Sequence, residues 1–221
     1  MIRLLTNYYQ DSSKIRQAEL DRCIEDNRNN FREAGGIVHI VQDDISGRPT
    51  YEDMFNLANT MSFDDDITVI ANTDIIFPVE SIEKIKSCMR REICIALTRW
   101  DTPLSVPKKY NDGKSGWKIR LNKYSQDCWI FFGKIKVPKT CNFFMGIPGC
   151  DNRIAYELYD AGYKMVNPCK SIVTFHHHES AKRNGAKSMV SPPYMLINHI
   201  TIEEIGNEQT PHNVRDFVME V

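Results

Sequence analysis

Residues 67–74 read Ile-Thr-Val-Ile-Ala-Asn-Thr-Asp, and this stretch decides how the chain folds. Its first part, Ile67–Ala71, is a continuous apolar run of the length of a β-strand. Such runs are typical of parallel strands, because helices cover both faces of a parallel sheet. The polar triplet 72–74 then follows the carboxyl end of a buried strand, which is where open α/β sheets bind their ligands.

Strand-like and helix-like segments alternate on both sides of this stretch. Apolar runs predict further strands at 2–7, 37–41 and 93–98, and helical patterns predict helices at 14–34, 51–61 and 79–90. The order β-α-β-α-β-α-β with short connections predicts a parallel sheet in a three-layer α/β fold. After Trp100 the rhythm changes, and we expect strands at 117–121, 128–132, 143–147 and 172–176, and a helix at 151–161.

Composition excludes several classes of protein. The 221 residues carry a net charge of −1 without a basic stripe, so nucleic acid is not an expected partner. The sequence has no apolar run long enough to span a membrane and no signal peptide, which favours a cytoplasmic location. Seven scattered cysteines without a Cys-x-x-Cys pair predict reduced, buried thiols. The acidic run 64–66 at the start of the third strand is expected to be a solvated loop.

The triplet 72–74 is a candidate metal site. Alternation along the chain aims Asn72 and Asp74 to one side of the turn. A hard divalent cation takes oxygen ligands and completes its shell with water or diphosphate oxygens. Asp74 is therefore placed to hold Mn²⁺ or Mg²⁺ against a substrate diphosphate. The alternative is a plain turn in which Asp74 caps the next helix.

A histidine cluster follows the last predicted strand of this region. In the run 176–178, period-two geometry puts His176 and His178 on one face, where either can complete a metal shell or donate to a diphosphate. The alternative is a loop of solvated histidines. Nearby, Lys182 and Arg183 can neutralise diphosphate charge or be ordinary surface residues.

Two carboxylates in the second half are candidates for catalysis. Asp151 follows the glycine-rich turn 146–149 at the start of a predicted helix, where the helix dipole stabilises an anion. It can accept a proton from a substrate hydroxyl or fix that hydroxyl in place, and glycines in the turn leave room for a substrate. The alternative is a helix N-cap. Asp127 is the second candidate. Trp129 and Trp100 either stack on a sugar or belong to the core.

Taken together, residues 4–183 resemble the GT-A glycosyltransferase fold, which implies a mostly parallel central sheet with a smaller acceptor-side subregion. The triplet 72–74 resembles the Asp-x-Asp motif of that class with its first Asp replaced. The resemblance implies a metal held by Asp74 and by His176 or His178, and a catalytic carboxylate at Asp151. It also implies that the donor, a nucleotide-diphospho-sugar, is bound by Thr6, Asn7 and Tyr8 at the base, Asn72 at the ribose, Thr73 and Asp74 at the metal-binding turn, and Arg99 at the sugar or phosphates.

A closer resemblance is carried by three runs, Ser-Gln-Asp-x-Trp at 125–129, Gly-Ile-Pro-Gly-Cys-Asp-Asn at 146–152 and His-x-His-x-Ser at 176–180. These are similar to glycosyltransferases of large algal (chlorella) viruses, which resemble capsid-glycan enzymes that use UDP-sugars. That resemblance implies a viral protein in the host cytoplasm, related to or part of a longer multi-domain enzyme.

The expected function is transfer of a hexose or deoxyhexose from a UDP-sugar, such as UDP-glucose, to a hydroxyl of a glycan acceptor. We expect one domain, with a nucleotide-sugar-binding half at 1–100, an acceptor and catalytic half at 101–181, and a flap and C-terminal arm at 182–221. Asp151 is the general base if the anomeric centre is inverted; if it is retained, Asp151 or Asp127 orients the substrates. The alternatives are a nucleotidyltransferase, which usually has a glycine-rich loop where 6–10 has no glycine, and a non-catalytic nucleotide-sugar- or glycan-binding domain.

Overall fold

The computed structural model describes residues 1–42, 48–101, 118–119, 125–177, 189–206 and 212–215, and the fold is given for these. Its helices are α1 Lys14–Glu33, α2 Tyr51–Met61, α3 Val79–Cys88 and α4 Cys150–Asp160. Its strands are β1 Ile2–Tyr8, β2 Ile37–Gln42, β3 Ile67–Ala71, β4 Ile75–Ile76, β5 Ile93–Leu97, β6 Trp100–Asp101, β7 Lys118–Ile119, β8 Cys128–Phe132, β9 Lys164–Val166, β10 Phe175–His176, β11 Tyr194–Ile197 and β12 His212–Arg215.

The central sheet has six strands in the order β2-β1-β3-β8-β5-β9. It is mostly parallel, since β1 runs parallel to β2 and β3, and β5 runs parallel to β9. β8 is antiparallel to both of its neighbours and separates β3 from β5. The predicted mostly parallel central sheet is confirmed, and β8 is its antiparallel member. The apolar run at 128–132 predicts a buried strand but not the direction of that strand.

Two apolar clusters cover the two faces of this sheet. One contains Phe31 of α1 and Ile82 of α3, and the other contains Phe55 of α2 and Leu158 of α4. Residues along β3 alternate between the clusters, because successive side chains of a strand point to opposite faces. Helices therefore lie on both sides of the sheet, and the predicted three-layer α/β fold is confirmed.

Two predicted strands differ from the structure. Residues 143–147 form turns with a single bridge between Thr50 and Phe144, because the amide of Met145 bonds the carbonyl of Pro49 instead of a neighbouring strand. The predicted strand 172–176 is reduced to β10, because the amide of Ile172 closes a turn onto the carbonyl of Pro168.

Contrary to expectation, only part of the acidic run 64–66 is solvated. Asp64 and Asp65 are exposed, but Asp66 is buried and accepts a hydrogen bond of 2.8 Å from Arg3 Nε. Burial alone would raise the pKa of Asp66, yet hydrogen bonds from the amino group of Met1, the Phe63 amide and Arg3 lower it to about 2. This carboxylate is a buried ion-pair partner at the end of the sheet opposite the polar triplet.

The expectation for the cysteines is met. All seven cysteines are free and buried, as predicted. In the described ranges, no helix combines the length and apolar character needed to cross a membrane.

Residues 189–206, which belong to the predicted flap and arm, pack against α4. Asn152 donates to the carbonyl of Met195 at 3.2 Å, and Arg153 donates to the carbonyls of Ser191 and Pro192 at 2.9 and 3.0 Å. Met195 itself is fully buried. This segment is therefore part of the packed body.

Candidate active site

The candidate site lies at the edge of the sheet where β1, β3 and β5 end. Because β8 is antiparallel, it begins at this same edge, and Asp127, just before β8, lies beside the residues that follow β3. The amide of Asn72 donates to the carbonyl of Asp127 at 3.2 Å, and Asn72 Nδ2 is 3.4 Å from Asp127 Oδ1. The reversed strand thus brings the second-half carboxylate to the polar triplet.

A second, smaller sheet brings His176 to Asp74. β4 follows the triplet directly and pairs antiparallel with β10, so that His176 lies opposite Ile75. The amide of His177 donates to the carbonyl of Asp74 at 3.0 Å, and His176 Nε2 is 3.2 Å from Asp74 Oδ2. The first turn of α3 is capped by Pro78 without a side-chain bond, so the alternative role of Asp74 as a helix cap is wrong.

Arg16 is a member of this cluster that the sequence analysis did not find. Its Nη2 donates to Asp74 Oδ2 at 2.6 Å, and its Nη1 donates to Glu19 Oε2 at 2.9 Å. Only 7% of Arg16 is exposed. Its position in the sequence could have identified it. Because α1 begins just after the carboxyl end of β1, the first turn of α1 lies at the edge of the sheet where the candidate site lies.

The cluster keeps Asp74 ionised. Burial alone would raise its pKa, but interactions with His176 and the guanidinium groups of Arg16 and Arg99 outweigh burial and hold the pKa well below its usual value. A carboxylate that stays charged across the physiological pH range is suited to bind a cation.

Asp74 and His176 fit a divalent cation as two of its ligands. Ligand bonds of about 2.1 Å at right angles separate two ligand atoms by about 3 Å, close to the 3.2 Å between Nε2 and Oδ2. The described residues contain no group of three or more His, Cys, Asp and Glu side chains that could hold a metal. Water and substrate oxygens would therefore complete the shell, as is usual for Mg²⁺. His178 lies outside the described residues.

Asp127 is paired on one oxygen only. Arg99, just beyond β5, donates through Nη1 to Asp127 Oδ1. The second oxygen, Oδ2, is buried and has no hydrogen-bond partner within the described ranges. A buried carboxylate oxygen without a donor is costly, so Asp127 is an under-compensated negative charge at the site.

Asp151 lies in the first turn of α4, and its environment differs from the expected one. The N-cap of α4 is Gly149, with φ of 81°, so the alternative role of Asp151 as the N-cap is wrong. The expected stabilisation of its anion is also wrong. Burial and then the negative charge of Asp127 raise the pKa of Asp151 to about 7. A carboxyl group that titrates near neutrality is suited to general acid–base catalysis.

Tyr51, the first residue of α2, contacts Asp151 and was also missed. Its hydroxyl is 3.4 Å from Asp151 Oδ1, and the thiol of Cys150 is 3.3 Å from the same oxygen. The Tyr51 ring meets Trp129 edge-on, with centroids 6.1 Å apart. Trp129 is 1% exposed, so it belongs to the core and not to a sugar-stacking surface. The indole of Trp100 donates to the carbonyl of Cys169 at 2.9 Å.

Contrary to expectation, the glycines of the turn leave no room for a substrate. A Cβ at Gly149 would lie 2.9 Å from both the Tyr194 hydroxyl and the Val190 carbonyl. A Cβ at Gly146 would lie 2.7 Å from Arg48 Nη1. The space beside both glycines is filled by the protein, and their positive φ values give the turn its shape.

The predicted base-binding residues at the end of β1 are largely buried or bonded to other residues of the protein. Thr6 is 1% exposed and offers a ligand almost no surface. The carbonyl of Asn7 accepts the Thr73 hydroxyl, which is itself buried. Tyr8 bonds Asp21 and Gln17 of α1, yet its side chain also lines an open groove of about 550 Å³ between α1 and β2. The predicted phosphate contacts Lys182 and Arg183 lie outside the described residues.

Comparison with known proteins supports the fold. The structure is similar to the crystal structure of the catalytic domain of Drosophila beta1,4-galactosyltransferase 7 in complex with xylobiose, with a TM-score of 0.54 and 12% sequence identity. The similarity covers 96% of this chain and 81% of that chain. No protein-family model and no curated protein sequence matches the chain. The chain therefore has a GT-A-like fold, as the sequence resemblance implied.

Proposed function

We propose that this protein is a glycosyltransferase that moves a sugar from a nucleotide-diphospho-sugar to an acceptor hydroxyl. The observation that carries the proposal is the approach of His176 Nε2 to within 3.2 Å of Asp74 Oδ2 at the ligand-binding edge of the sheet. The similarity to a galactosyltransferase catalytic domain supports it at the level of the fold.

In this proposal, Asp74 and His176 bind the cation and position the diphosphate of the donor. When bound, Mn²⁺ or Mg²⁺ would stabilise the negative charge of the leaving nucleoside diphosphate. Arg99, at the same edge, adds positive charge near Asp127. The transition state has oxocarbenium character, so charges placed around the departing sugar contribute more than covalent assistance.

Asp151 acts on the acceptor. With a pKa of about 7, a large fraction of Asp151 is ionised at neutral pH and can take the proton of the attacking hydroxyl. Tyr51 and Cys150 hold its Oδ1 oxygen in position. This role applies to inversion at the anomeric carbon; for retention, Asp151 or Asp127 orients the acceptor and donor.

The finer assignments belong to the same proposal. UDP is proposed as the nucleotide, a hexose or deoxyhexose as the sugar, and a glycan as the acceptor. The glycan acceptor is supported by the xylobiose bound to the similar galactosyltransferase domain. The relationship to enzymes of large algal viruses rests on the three sequence runs at 125–129, 146–152 and 176–180.

The test is to incubate the protein with a panel of UDP-sugars, Mn²⁺ and glycan acceptors, and to measure release of UDP and of pyrophosphate. We expect UDP release that Asp74→Asn reduces at least about 100-fold, because the leaving diphosphate loses its anchor. Asp160→Asn, an exposed carboxylate at the end of α4, is the matched control and should retain wild-type activity. Pyrophosphate production would indicate a nucleotidyltransferase. UDP-sugar binding without any product would indicate a binding domain. Either result would contradict the proposal.

A further inference from the structure

Arg16 donates a hydrogen bond to the same oxygen of Asp74 that a divalent cation would bind. Its Nη2 is 2.6 Å from Asp74 Oδ2, and that oxygen is also the one nearest to His176 Nε2. Two positive groups that share one carboxylate oxygen in a site with little water repel each other strongly. The ion pair of Arg16 and the binding of a metal to Asp74 are therefore in competition.

Several contacts besides Asp74 hold the Arg16 guanidinium in this position. Its Nη1 donates to Glu19 Oε2 at 2.9 Å and to the carbonyl of His177 at 3.4 Å, and its Nη2 is also 3.4 Å from the Tyr9 hydroxyl. The guanidinium thus spans two buried or half-buried carboxylates, Glu19 and Asp74. If it leaves Asp74, Arg16 keeps an anionic partner in Glu19, so displacement does not strand a buried charge.

A bound diphosphate changes this balance. An arginine displaced from Asp74 has a planar fork of donors that matches phosphate oxygens. A diphosphate held at the same edge of the sheet would give that fork a new anionic partner. It would also bring further negative charge to a site where a cation and an arginine otherwise repel each other.

We propose that Arg16 is a built-in counter-cation of Asp74 that weakens binding of a divalent metal alone and makes metal and nucleoside diphosphate bind cooperatively. This inference rests on the proposed function, because it concerns the same site. Arg16 is in this sense a positioning residue: it holds the Asp74 carboxylate until metal and diphosphate arrive together. Coupling of this kind is reciprocal, so each ligand raises the affinity for the other by the same factor.

The test is calorimetric titration of the full chain with Mn²⁺, in the absence and in the presence of saturating UDP. For the wild-type protein we expect weak binding of Mn²⁺ alone and an affinity at least about 10-fold higher with UDP. For Arg16→Gln we expect Mn²⁺ alone to bind at least about 5-fold more tightly than to wild type, and the enhancement by UDP to shrink. Arg22→Gln, an exposed arginine on the same helix, should behave as wild type.

Several outcomes would overturn the inference. One is equal or weaker Mn²⁺ binding by Arg16→Gln with unchanged coupling to UDP. If circular dichroism shows that Arg16→Gln does not fold, Arg16→Lys replaces it, because lysine keeps the charge but cannot span Glu19 and Asp74 with a fork. Arg16→Lys should then bind Mn²⁺ alone more tightly than wild type, and failure to do so overturns the inference. Absence of any coupling in the wild-type protein overturns it without a variant.

Asp74→Asn separates this failure from failure of the proposed function. If Asp74→Asn abolishes Mn²⁺ binding while the Arg16 variants match wild type, the inference fails and the proposed metal site stands. If Asp74→Asn binds Mn²⁺ as wild type does, the metal site at Asp74 fails and the inference fails with it.

Discussion

Asp74 and Asp151 are aspartates at one edge of the same sheet, yet their surroundings are opposite. Asp74 has the guanidinium of Arg16 and the imidazole of His176 on one oxygen, and its pKa is held well below the usual value. Asp151 has a neutral hydroxyl and a neutral thiol at 3.4 and 3.3 Å. Burial and the charge of Asp127 raise its pKa to about 7.

The difference shows how one residue type can serve two roles. A carboxylate surrounded by cationic groups keeps its negative charge and can exchange one positive partner for another. A buried carboxyl group beside another negative charge gains and loses a proton near neutral pH. The first environment suits binding of charged ligands, and the second suits proton transfer.

The largest expected effect separates the two carboxylates by kinetics. Asp151→Asn should lower kcat about 10²- to 10⁴-fold, because an amide cannot accept the proton of the acceptor hydroxyl. Its Mn²⁺-dependent affinity for UDP should stay near the wild-type value, whereas Asp74→Asn should lose that affinity. Steady-state kinetics and calorimetry with UDP measure the two effects. Loss of UDP affinity in Asp151→Asn would contradict the separate roles of Asp74 in UDP binding and of Asp151 in proton transfer.

A smaller effect concerns stability. The pKa of Asp151 is about 7 in the folded protein and near 3.8 when the chain is unfolded. Between these values the folded state binds more protons than the unfolded state, so the stability contributed at this position falls as the pH rises. We expect Asp151→Asn to be more stable than wild type at pH 8, by on the order of 4 kcal/mol, with the difference vanishing near pH 4. Urea unfolding at several pH values measures this, and a difference that grows toward pH 4 would contradict it.

The smallest effect tests the neutral donors. The Tyr51 hydroxyl lowers the pKa of Asp151 relative to the value that burial alone would produce. Tyr51→Phe should therefore move the acidic limb of the pH profile of kcat/KM to higher pH, by less than about one unit, with a severalfold loss of rate at pH 7. Tyr159→Phe, on the exposed side of α4, is the control. An unshifted profile with reduced rate would assign Tyr51 a packing role only.

Much of the fold could be predicted from local sequence. The predicted bounds of three elements agree with the structure at both ends: Ile67–Ala71, Tyr51–Met61 and Cys128–Phe132. These bounds are predictable because apolar runs and helix-start signals are encoded in neighbouring positions. The strand predicted at 143–147 failed because its backbone partners, including Pro49, lie far away in the sequence.

The site was predictable only in part, for a related reason. Asp74, Asp127, Asp151 and His176 stand next to strand ends or a helix start, where position alone suggests a role. Arg16 and Tyr51 lie within ordinary helical patterns, and their roles depend on which helix faces which strand end. The raised pKa of Asp151 depends first on burial and then on the negative charge of Asp127, and no local sequence pattern shows that the two residues lie close together.

The reversed strand β8 has a consequence for how the chain acquires its structure. β3 and β5, both within the first hundred residues, do not pair with each other, since β8 lies between them. A ribosome must therefore synthesise the chain at least to Phe132 before the central sheet can close. A fragment ending near residue 100 would leave three strand edges unpaired, namely the edges of β3 and β5 that face β8 and the edge of β5 that faces β9. Unpaired strand edges favour aggregation.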